Sequence, residues 1–336
     1  MMKVLWTHNF NPSIRNAGSF MYILAEYLQK FKVDLDLLYL GNLRSPGNIL
    51  RARRMVKDTA KKYDIIHSQF GSACAFVTSV VDDIPKVLTL RGSDWYRYKG
   101  RNLFLFIHSW LATIFTQSAI QKFDMVITVS HRMKKEIQRK YPKIKVFFMP
   151  SPIELEKFKP IDKHTARATL GFPNDHDKWV LFTTISTRNP VKRVDLARKS
   201  VEIANQLMNG SLKIKIRIAS GVPHNEMPLF VASCDLALCT STHEGWPNSI
   251  KEALACNIPF VATDVDDLYL IANKEPSCRI CPPDAHVIAK NITEVLMIKE
   301  PKNLRRYVIE MDAPVISRKL LNFYESLLKE YKDRRP

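Results

Sequence analysis

The chain has 336 residues, 46% of them hydrophobic and 25% charged, and a formal net charge of +18. This composition is typical of a soluble globular protein that is long enough for two domains with full cores. Residues 1–150 carry 24 Lys and Arg against 10 Asp and Glu, so most of the positive charge lies in the first half. This positive charge could attract an anionic membrane surface, an anionic acceptor or nucleic acid, but no nucleic-acid-binding module is recognisable.

The cysteine spacing and the apolar segments predict an intracellular chain without a metal site. Among six cysteines only Cys278 and Cys281 form a close pair, which favours free thiols over zinc. Residues 1–6 run straight into a strand without the apolar core of a signal peptide. The longest apolar run, 103–115, is interrupted by polar residues, and we expect it to be too short and too polar to span a membrane.

Strands and helices alternate along the whole sequence, and this pattern predicts parallel, doubly wound sheets. In the first half we expect strands at 3–7, 33–39, 63–67, 86–90 and 125–129, with helices at 16–30, 49–62 and after Ser130. In the second half we expect strands at 179–185, 213–218, 235–240 and 260–263, with helices at 194–206, 223–233, 249–256, 285–297 and 314–331. Four prolines between residues 150 and 173 mark the boundary between the halves.

Two carboxylates stand out where the strand at 235–240 gives way to a helix. Glu244 lies in the loop and Glu252 on the helix, eight residues apart. A helix that starts at the carboxyl end of a parallel strand offers free backbone N–H groups and its positive dipole end to a phosphate. A carboxylate beside a phosphate site is explained if it accepts a hydrogen bond from a sugar or ribose hydroxyl. An ordinary strand–helix–strand unit explains the hydrophobic pattern here, but not the segment Glu-Gly-Trp-Pro-Asn at a helix start.

This segment, with the residues around it, resembles the E-x7-E signature of retaining glycosyltransferases of family 4. The resemblance includes residues 222–228, 232–235 and Pro259 and is strong only in residues 222–268. It implies the GT-B fold, an α/β arrangement of two Rossmann-like domains with parallel sheets facing across a cleft. The implied domains are an acceptor-binding domain at 1–152, a nucleotide-sugar-binding domain at 153–313, and a helix at 314–336 that packs back on the first domain.

The resemblance also implies a donor site in the second half. Lys192 fits a cation that holds the donor diphosphate, with Arg188 and Arg193 competing for a second such role, although a solvated basic loop is the plain alternative. Glu252 would accept hydrogen bonds from the ribose, and Glu244 would contact the donor sugar or stabilise charge at its reacting carbon. The remaining donor-binding candidates are Gly245, Trp246, Pro247, Asn248 and Ser249. Because cations and a helix dipole serve the diphosphate, no metal or other cofactor is expected.

In the first half the implied site residues follow the strands. Residues 91–94 are similar to the family's His-Gly-x-Asp segment, but Arg91 replaces the histidine, and an arginine cannot act as a base at neutral pH. Arg91 can bind phosphate or a sugar hydroxyl, with Asp94 holding it or orienting a hydroxyl; a structural pair is the alternative. Gly18 would allow close approach of a phosphate or sugar, or simply serve a turn. His8 and His67 are acceptor-binding candidates, and for His67 a local hydrogen bond is the alternative.

These features predict a metal-independent hexosyltransferase that acts on a nucleotide-diphosphate sugar and a glycan or lipid-linked acceptor. Two alternatives stay open: a nucleotide-sugar epimerase of the same architecture, and a non-catalytic protein that binds sugar nucleotides or glycans. We expect the protein in the cytoplasm, with contact to the inner face of the membrane through the basic first half. The apolar residues between 103 and 115 either pack in the core or dip into the bilayer beside those basic residues.

Overall fold

A computed structural model describes residues 1–13, 18–98, 100, 102–173, 175–299 and 303–334. The chain forms two compact units, one of residues 1–152 and 313–336 and the other of residues 153–312. We call them unit 1 and unit 2. Each is built around one parallel sheet with helices on both faces, so the predicted α/β class is confirmed.

Unit 1 contains a six-stranded sheet in the order β2-β1-β3-β4-β5-β6, with every pair parallel. Helices cover both faces of the sheet. The strands are therefore buried on both sides and consist mostly of continuous apolar runs. The strands are β1 (Lys3–His8), β2 (Asp34–Tyr39), β3 (Ile65–Ser68), β4 (Lys86–Leu90), β5 (Met125–Thr128) and β6 (Val146–Phe148). The helices between them are α1 (Ser19–Lys30), α2 (Pro46–Ala60), α3 (Ser72–Thr78), α4 (Leu103–Ala119) and α5 (His131–Lys140).

Side-chain caps fix the starts of three of these helices. Ser45, Asn102 and Ser130 each accept a hydrogen bond from a backbone N–H in the first turn of α2, α4 and α5. Such a cap satisfies a donor that has no partner within the helix and stabilises it by about 1 kcal/mol. The helix start after Ser130 was predicted from the sequence and is confirmed.

Unit 2 contains a five-stranded parallel sheet in the order β11-β10-β9-β7-β8. Its strands are β7 (Lys178–Thr183), β8 (Ile214–Ala219), β9 (Leu236–Cys239), β10 (Phe260–Thr263) and β11 (Arg279–Cys281). Its helices are α6 (Lys163–Thr169), α7 (Val194–Leu207), α8 (Met227–Ala232), α9 (Asn248–Ala255), α10 (Tyr269–Ala272) and α11 (Ala285–Met297). Helices α7 and α11 pack together over one face, and α8 and α9 cover the other.

The last helix, α12 (Ala313–Asp333), returns the chain to unit 1 and packs against α1. Its apolar face joins the core formed by α1 and the strands β1 to β5. Tyr324 is buried there, and its hydroxyl accepts a hydrogen bond of 2.8 Å from the Trp6 indole N–H. The same hydroxyl lies 2.5 Å from Nδ1 of the buried His67. One side chain of α12 therefore ties two strands of the sheet, β1 and β3.

We expect Tyr324→Phe to lower the free energy of unfolding by about 1–3 kcal/mol, because the buried Trp6 N–H loses its acceptor. His67 loses less, since Nε2 of Gln69 remains 3.1 Å from its Nδ1. Urea denaturation followed by tryptophan fluorescence measures the change. Tyr331→Phe on the same helix is the matched control, because that hydroxyl donates an exposed hydrogen bond of 3.3 Å to the Asp82 carbonyl. Equal stabilities of the two variants would contradict the role given to Tyr324.

The structure departs from the sequence-based elements in two ways. Short elements were missed, among them α3, α6 and β6, because three to seven residues give too little periodicity to recognise. The apolar run at 103–115 also continues further than predicted, through α4 and a 3-10 turn to Lys122. Within the described residues it is the one helix that is long and apolar enough to cross a membrane by length and composition, so the expectation that it is too short and too polar was wrong.

Candidate functional site

In unit 2 the loops that follow β7 and β9 meet, because these strands are neighbours in the sheet. The loop after β7 leads to α7, and the loop after β9 leads to α9. Hydrogen bonds join the two loops: the Thr240 hydroxyl donates to the Lys192 carbonyl (2.7 Å), and the Thr242 N–H donates to the Val191 carbonyl (2.9 Å). Parallel pairing thus brings together residues that are some fifty positions apart in sequence.

Lys192 and Glu244 form an ion pair at this junction, with 2.6 Å between Nζ and Oε1. The Ser241 hydroxyl donates to the same carboxylate oxygen at 2.7 Å. Burial, the largest single influence, would lower the pKa of Lys192, but the charge and hydrogen bond of Glu244 together with the charges of Cys239 and Glu252 outweigh it, and the pKa is raised. The lysine is therefore a fixed cation, and its ammonium keeps donors for a second anion.

The two arginines of this loop have different surroundings. The Arg193 guanidinium donates to the carbonyls of Thr240 (2.5 Å) and Ser241 (3.0 Å), and Arg193 itself adopts φ +51° at the start of α7. It holds the end of β9, so the geometry gives it a positioning role in place of the predicted diphosphate contact. Arg188 lies in the exposed part of the loop, where its backbone N–H donates to the Ser186 hydroxyl.

Helix α9 begins with Pro247 in the N-cap position, and no side chain of the described residues caps it. The Pro247 carbonyl accepts from the N–H groups of Ile250 and Lys251, which leaves the amides of Asn248 and Ser249 as the first-turn donors nearest the terminus. Gly245 and Trp246 are buried, and Trp246 belongs to the core of unit 2. Trp246 therefore packs in the core of unit 2, and its donor contact stays a prediction.

Glu252 lies one turn further along α9 and is partly buried. Burial raises its pKa to about 7, although the positive charges of His224, Lys251 and Lys192 act in the opposite direction. The carboxyl is thus close to half-ionised at neutral pH. His224 was not among the predicted site residues. It follows β8, and its Nε2 lies 3.4 Å from Glu154, whose pKa the histidine lowers. Its place just after a strand's carboxyl end was the signal that could have found it.

In unit 1 the segment after β4 is organised by Asp94, which is fully buried. Its carboxylate accepts hydrogen bonds from the backbone N–H groups of Gly71, Arg91 and Gly92 at 2.8–3.1 Å. Burial nevertheless raises the pKa of Asp94. A carboxylate that is enclosed by backbone donors cannot orient a substrate hydroxyl. The predicted catalytic role of Asp94 is therefore replaced by a structural one, the shaping of this loop.

The Arg91 side chain is held by other partners than Asp94. It donates to the carbonyl (2.9 Å) and side-chain oxygen (2.8 Å) of Gln69 and to the Ser151 hydroxyl (3.0 Å), and it stacks 3.9 Å over the Phe20 ring. Burial lowers the pKa of Arg91 to about 9, which leaves the guanidinium charged at neutral pH. Arg91 is thus a fixed, partly exposed cation at the carboxyl edge of the sheet.

The two histidine predictions and Gly18 have different outcomes. His67 is buried, its Nε2 lies 2.7 Å from the Thr89 hydroxyl, and burial together with Arg91 holds its pKa well below the usual value. With both ring nitrogens engaged inside unit 1, it cannot contact an acceptor, so the local alternative holds. His8 is nearly buried at the end of β1, and its Nδ1 has no partner within the described residues. Gly18 has φ +75°, and a Cβ there would lie 2.9 Å from the Phe10 ring, so the position requires glycine; its contact with a donor stays a prediction.

Two family models match the chain, one for each half. Residues 4–157 match Glycosyltransferase Family 4, and residues 194–297 match Glycosyl transferases group 1. A curated relative, TuaC of Bacillus subtilis (strain 168), carries a name that provisionally assigns it as a teichuronic acid biosynthesis glycosyltransferase. It is 26% identical over 245 residues, a match that covers 68% of this chain and 60% of that protein. The match thus spans less than two thirds of the relative's length.

Solved structures of similar fold cover almost the whole chain. Sucrose-phosphate synthase from Thermosynechococcus elongatus superimposes with a TM-score of 0.76 at 15% identity and covers 98% of this chain and 100% of its own. Anabaena HepE, solved with UDP and glucose, gives a TM-score of 0.69 at 15% identity, with coverage of 97% and 100%. The fold is of the GT-B type, as predicted. Residues of both halves thus match glycosyltransferase family models.

Proposed function

We propose that the protein is a retaining glycosyltransferase that moves a sugar from a nucleotide-diphosphate sugar to a hydroxyl of a lipid-linked or cell-surface glycan precursor in the cytoplasm. The observation that carries this proposal is the Lys192–Glu244 pair at 2.6 Å beside the uncapped start of α9. A fixed cation and the positive end of a helix suit a diphosphate, and a carboxylate next to them suits the sugar that it carries. HepE, which shares the fold, was solved with UDP and UDP-glucose, and this supports the donor class.

In this proposal each site residue of unit 2 acts at a defined part of the donor. As the anomeric C–O bond breaks, its electrons pass to the diphosphate, and Lys192, the amides of Asn248 and Ser249 and the exposed Arg188 stabilise the added charge. Glu244 accepts from a hydroxyl of the sugar or stabilises positive charge at its anomeric carbon. Glu252 accepts from the ribose hydroxyls. These groups supply the neutralisation that a divalent metal gives in other transferases, and we therefore propose a metal-independent reaction.

The residues of unit 1 serve the acceptor. Arg91 is charged and partly exposed, so it can bind an acceptor hydroxyl or phosphate, but it cannot accept the proton that the attacking hydroxyl loses. That proton therefore passes to the departing diphosphate, which gains negative charge in the same step. His8, whose Nδ1 has no partner within the described residues and whose pKa burial lowers, remains the acceptor-side histidine of the proposal.

The test starts from purified protein and a panel of UDP-, GDP-, ADP- and dTDP-sugars. One nucleoside diphosphate should raise the melting temperature by several degrees, because a ligand that binds only the folded state stabilises it. The matching sugar nucleotide should then release that diphosphate with water or added glycan as acceptor, also in EDTA. Interconversion of the sugar without release would identify an epimerase, and binding without any turnover would identify a binding protein. Either result would overturn the transferase.

A further inference from the structure

Helix α4 in unit 1 exposes an unusually apolar surface. Seven large apolar side chains are between 37% and 71% exposed, more than any other helix of the described residues presents. They are Leu103, Phe104, Phe106, Ile107, Trp110, Leu111 and Ile114. No charged residue occurs between Leu103 and Ala119. Contiguous apolar surface of this kind marks an interaction site in a folded protein.

The inward face of α4 is the polar one. Its buried positions, Thr113, Thr116 and Ala119, hold small or hydroxyl-bearing residues, and the partly buried positions are Leu105, Ser109, Ala112, Phe115 and Gln117. The hydroxyls are used within unit 1. Ser109 accepts from the Tyr98 N–H (3.0 Å), Thr113 accepts from the Arg97 side chain (3.1 Å), and Thr116 donates to the Asp94 carbonyl (2.7 Å). The helix is therefore inverted relative to a surface helix, whose apolar stripe normally faces the core.

Two helices on the same side of the sheet as α4 are strongly basic. Helix α2 carries Arg51, Arg53, Arg54 and Lys57 against Asp58, and α5 carries Arg132, Lys134, Lys135, Arg139 and Lys140 against Glu136. Contacts connect these helices to α4. Arg53 lies over the Phe76 ring of α3, which packs 5.1 Å from Phe115 of α4. On the other side, Glu136 of α5 accepts from Trp95 in the segment that leads to α4.

We propose that this face of unit 1 docks on an anionic lipid bilayer, with α4 lying along the interface and the basic helices α2 and α5 beside it. The apolar side chains enter the boundary between head groups and acyl chains, and the flanking cations attract anionic head groups. Charge complementarity selects lipid over a second copy of the chain, because two copies meeting at this face would bring like charges together. The inference stands on unit 1 alone and does not depend on the proposed function.

The connections of α4 show that it lies on the bilayer and does not cross it. The helix is followed by β5 and preceded by β4, and these strands pair side by side in the same sheet, from Val87 with Met125 to Leu90 with Thr128. A crossing helix would place its two ends on opposite sides of a membrane about 30 Å thick. The inward hydroxyls would also lose the protein partners just described. Only the outward face is free to meet lipid.

The first test compares sedimentation with vesicles of phosphatidylglycerol and phosphatidylcholine mixed equally and with vesicles of phosphatidylcholine alone. We expect binding to the anionic vesicles at low salt, release at 0.5 M salt, and little binding to the neutral ones. The variant Phe104→Gln/Ile107→Gln should weaken binding about tenfold or more, because glutamine keeps the helix but cannot enter the acyl region. The matched control, Leu207→Gln/Met297→Gln, replaces two exposed apolar residues of unit 2 helices and should bind like the parent.

The second test removes charge. Lys135→Gln/Arg139→Gln on α5 should weaken anionic-vesicle binding about tenfold, whereas Arg198→Gln/Lys199→Gln on α7 should not, although both pairs are exposed. Trp110 reports directly, since its fluorescence should shift to shorter wavelength and be quenched by brominated lipid, a signal that is lost in Trp110→Phe. Circular dichroism confirms that each variant is folded.

Three outcomes would overturn the proposal. They are binding that is unchanged in the α4 variant, equal binding to neutral and anionic vesicles, and a soluble dimer that disappears in the α4 variant while no vesicle is bound. Failure of the proposed function gives a different result. A protein that binds vesicles but neither binds nor turns over sugar nucleotides leaves the docking face intact. If the protein releases nucleoside diphosphate but does not bind vesicles, the docking proposal is wrong and the proposed function still stands.

Discussion

Replacing Lys192 with alanine is expected to lower kcat for sugar transfer, or for hydrolysis of the donor, by about 10²–10³-fold. This is the size of effect that follows removal of one preorganised group facing charge that develops in the transition state. The loss should appear more in kcat than in KM, because the leaving diphosphate gains charge only as its bond to the sugar breaks. Steady-state release of the nucleoside diphosphate measures both constants.

The matched control for this change is Lys199→Ala, which removes an exposed lysine from the helix that follows. Its activity should stay within twofold of the parent. Glu244→Gln should also lose activity strongly. The double variant should lose less than the product of the two single losses, because each residue holds the other at 2.6 Å. If Lys192→Ala kept kcat within a few-fold, the placement of the diphosphate beside Lys192 would be wrong.

Glu252→Gln is expected to raise the stability of the protein and to weaken its binding of nucleoside diphosphate. Burial raises the pKa of Glu252 to about 7, so between about pH 4.5 and 7 the folded state holds a proton that the unfolded state has released. Stability therefore falls as the pH rises through this range and then stays level. The glutamine cannot ionise and avoids this loss, which gives it an advantage on the order of 2 kcal/mol at pH 8. Below pH 4.5 the two proteins should be equally stable.

Binding should show the opposite preference. A ribose hydroxyl donates best to the ionised carboxylate, so the affinity of the parent for nucleoside diphosphate should rise as the pH passes through 7. The variant should bind more weakly at pH 8 and show no such rise. Urea denaturation and calorimetric titration at pH 4.5, 6, 7 and 8 measure the two effects. Glu202→Gln, an exposed change on α7, is the control. A variant that bound like the parent at pH 8 would remove the ribose contact.

The proposed donor site could be predicted from the sequence to the extent that it follows from strand order and local motif. Glu244 and Glu252 share one loop and helix, and Lys192 follows a strand that precedes a helix, so periodicity and the carboxyl-end rule place all three. The rule does not give the orientation of a side chain. Arg193 looked like a second diphosphate cation, but its guanidinium turns towards the carbonyls that end β9.

The site residues in the first half were harder to predict because their polar groups form hydrogen bonds within unit 1. Asp94 follows Arg91 so closely in sequence that an ion pair is the natural expectation, yet three backbone amides take the carboxylate. His67 meets Tyr324 across 257 positions, a contact that no local pattern can indicate. The inverted face of α4 was likewise ambiguous, since an apolar run predicts core packing and lipid contact equally well.

The division of unit 1 into two chain segments has a consequence for the order of synthesis. Unit 2 is an insertion whose ends lie together, since the N–H of Ile153 donates to the Met311 carbonyl (2.9 Å) and that of Leu155 to Asp312 (3.1 Å). It can complete its fold as soon as residue 312 leaves the ribosome. Unit 1, although translated first, must wait for α12 to supply Tyr324 and the apolar face that closes its core. Unit 1 is therefore translated first but completes its fold last. Until α12 has been synthesised, the apolar side chains of β1 to β5 lack the helix that covers them.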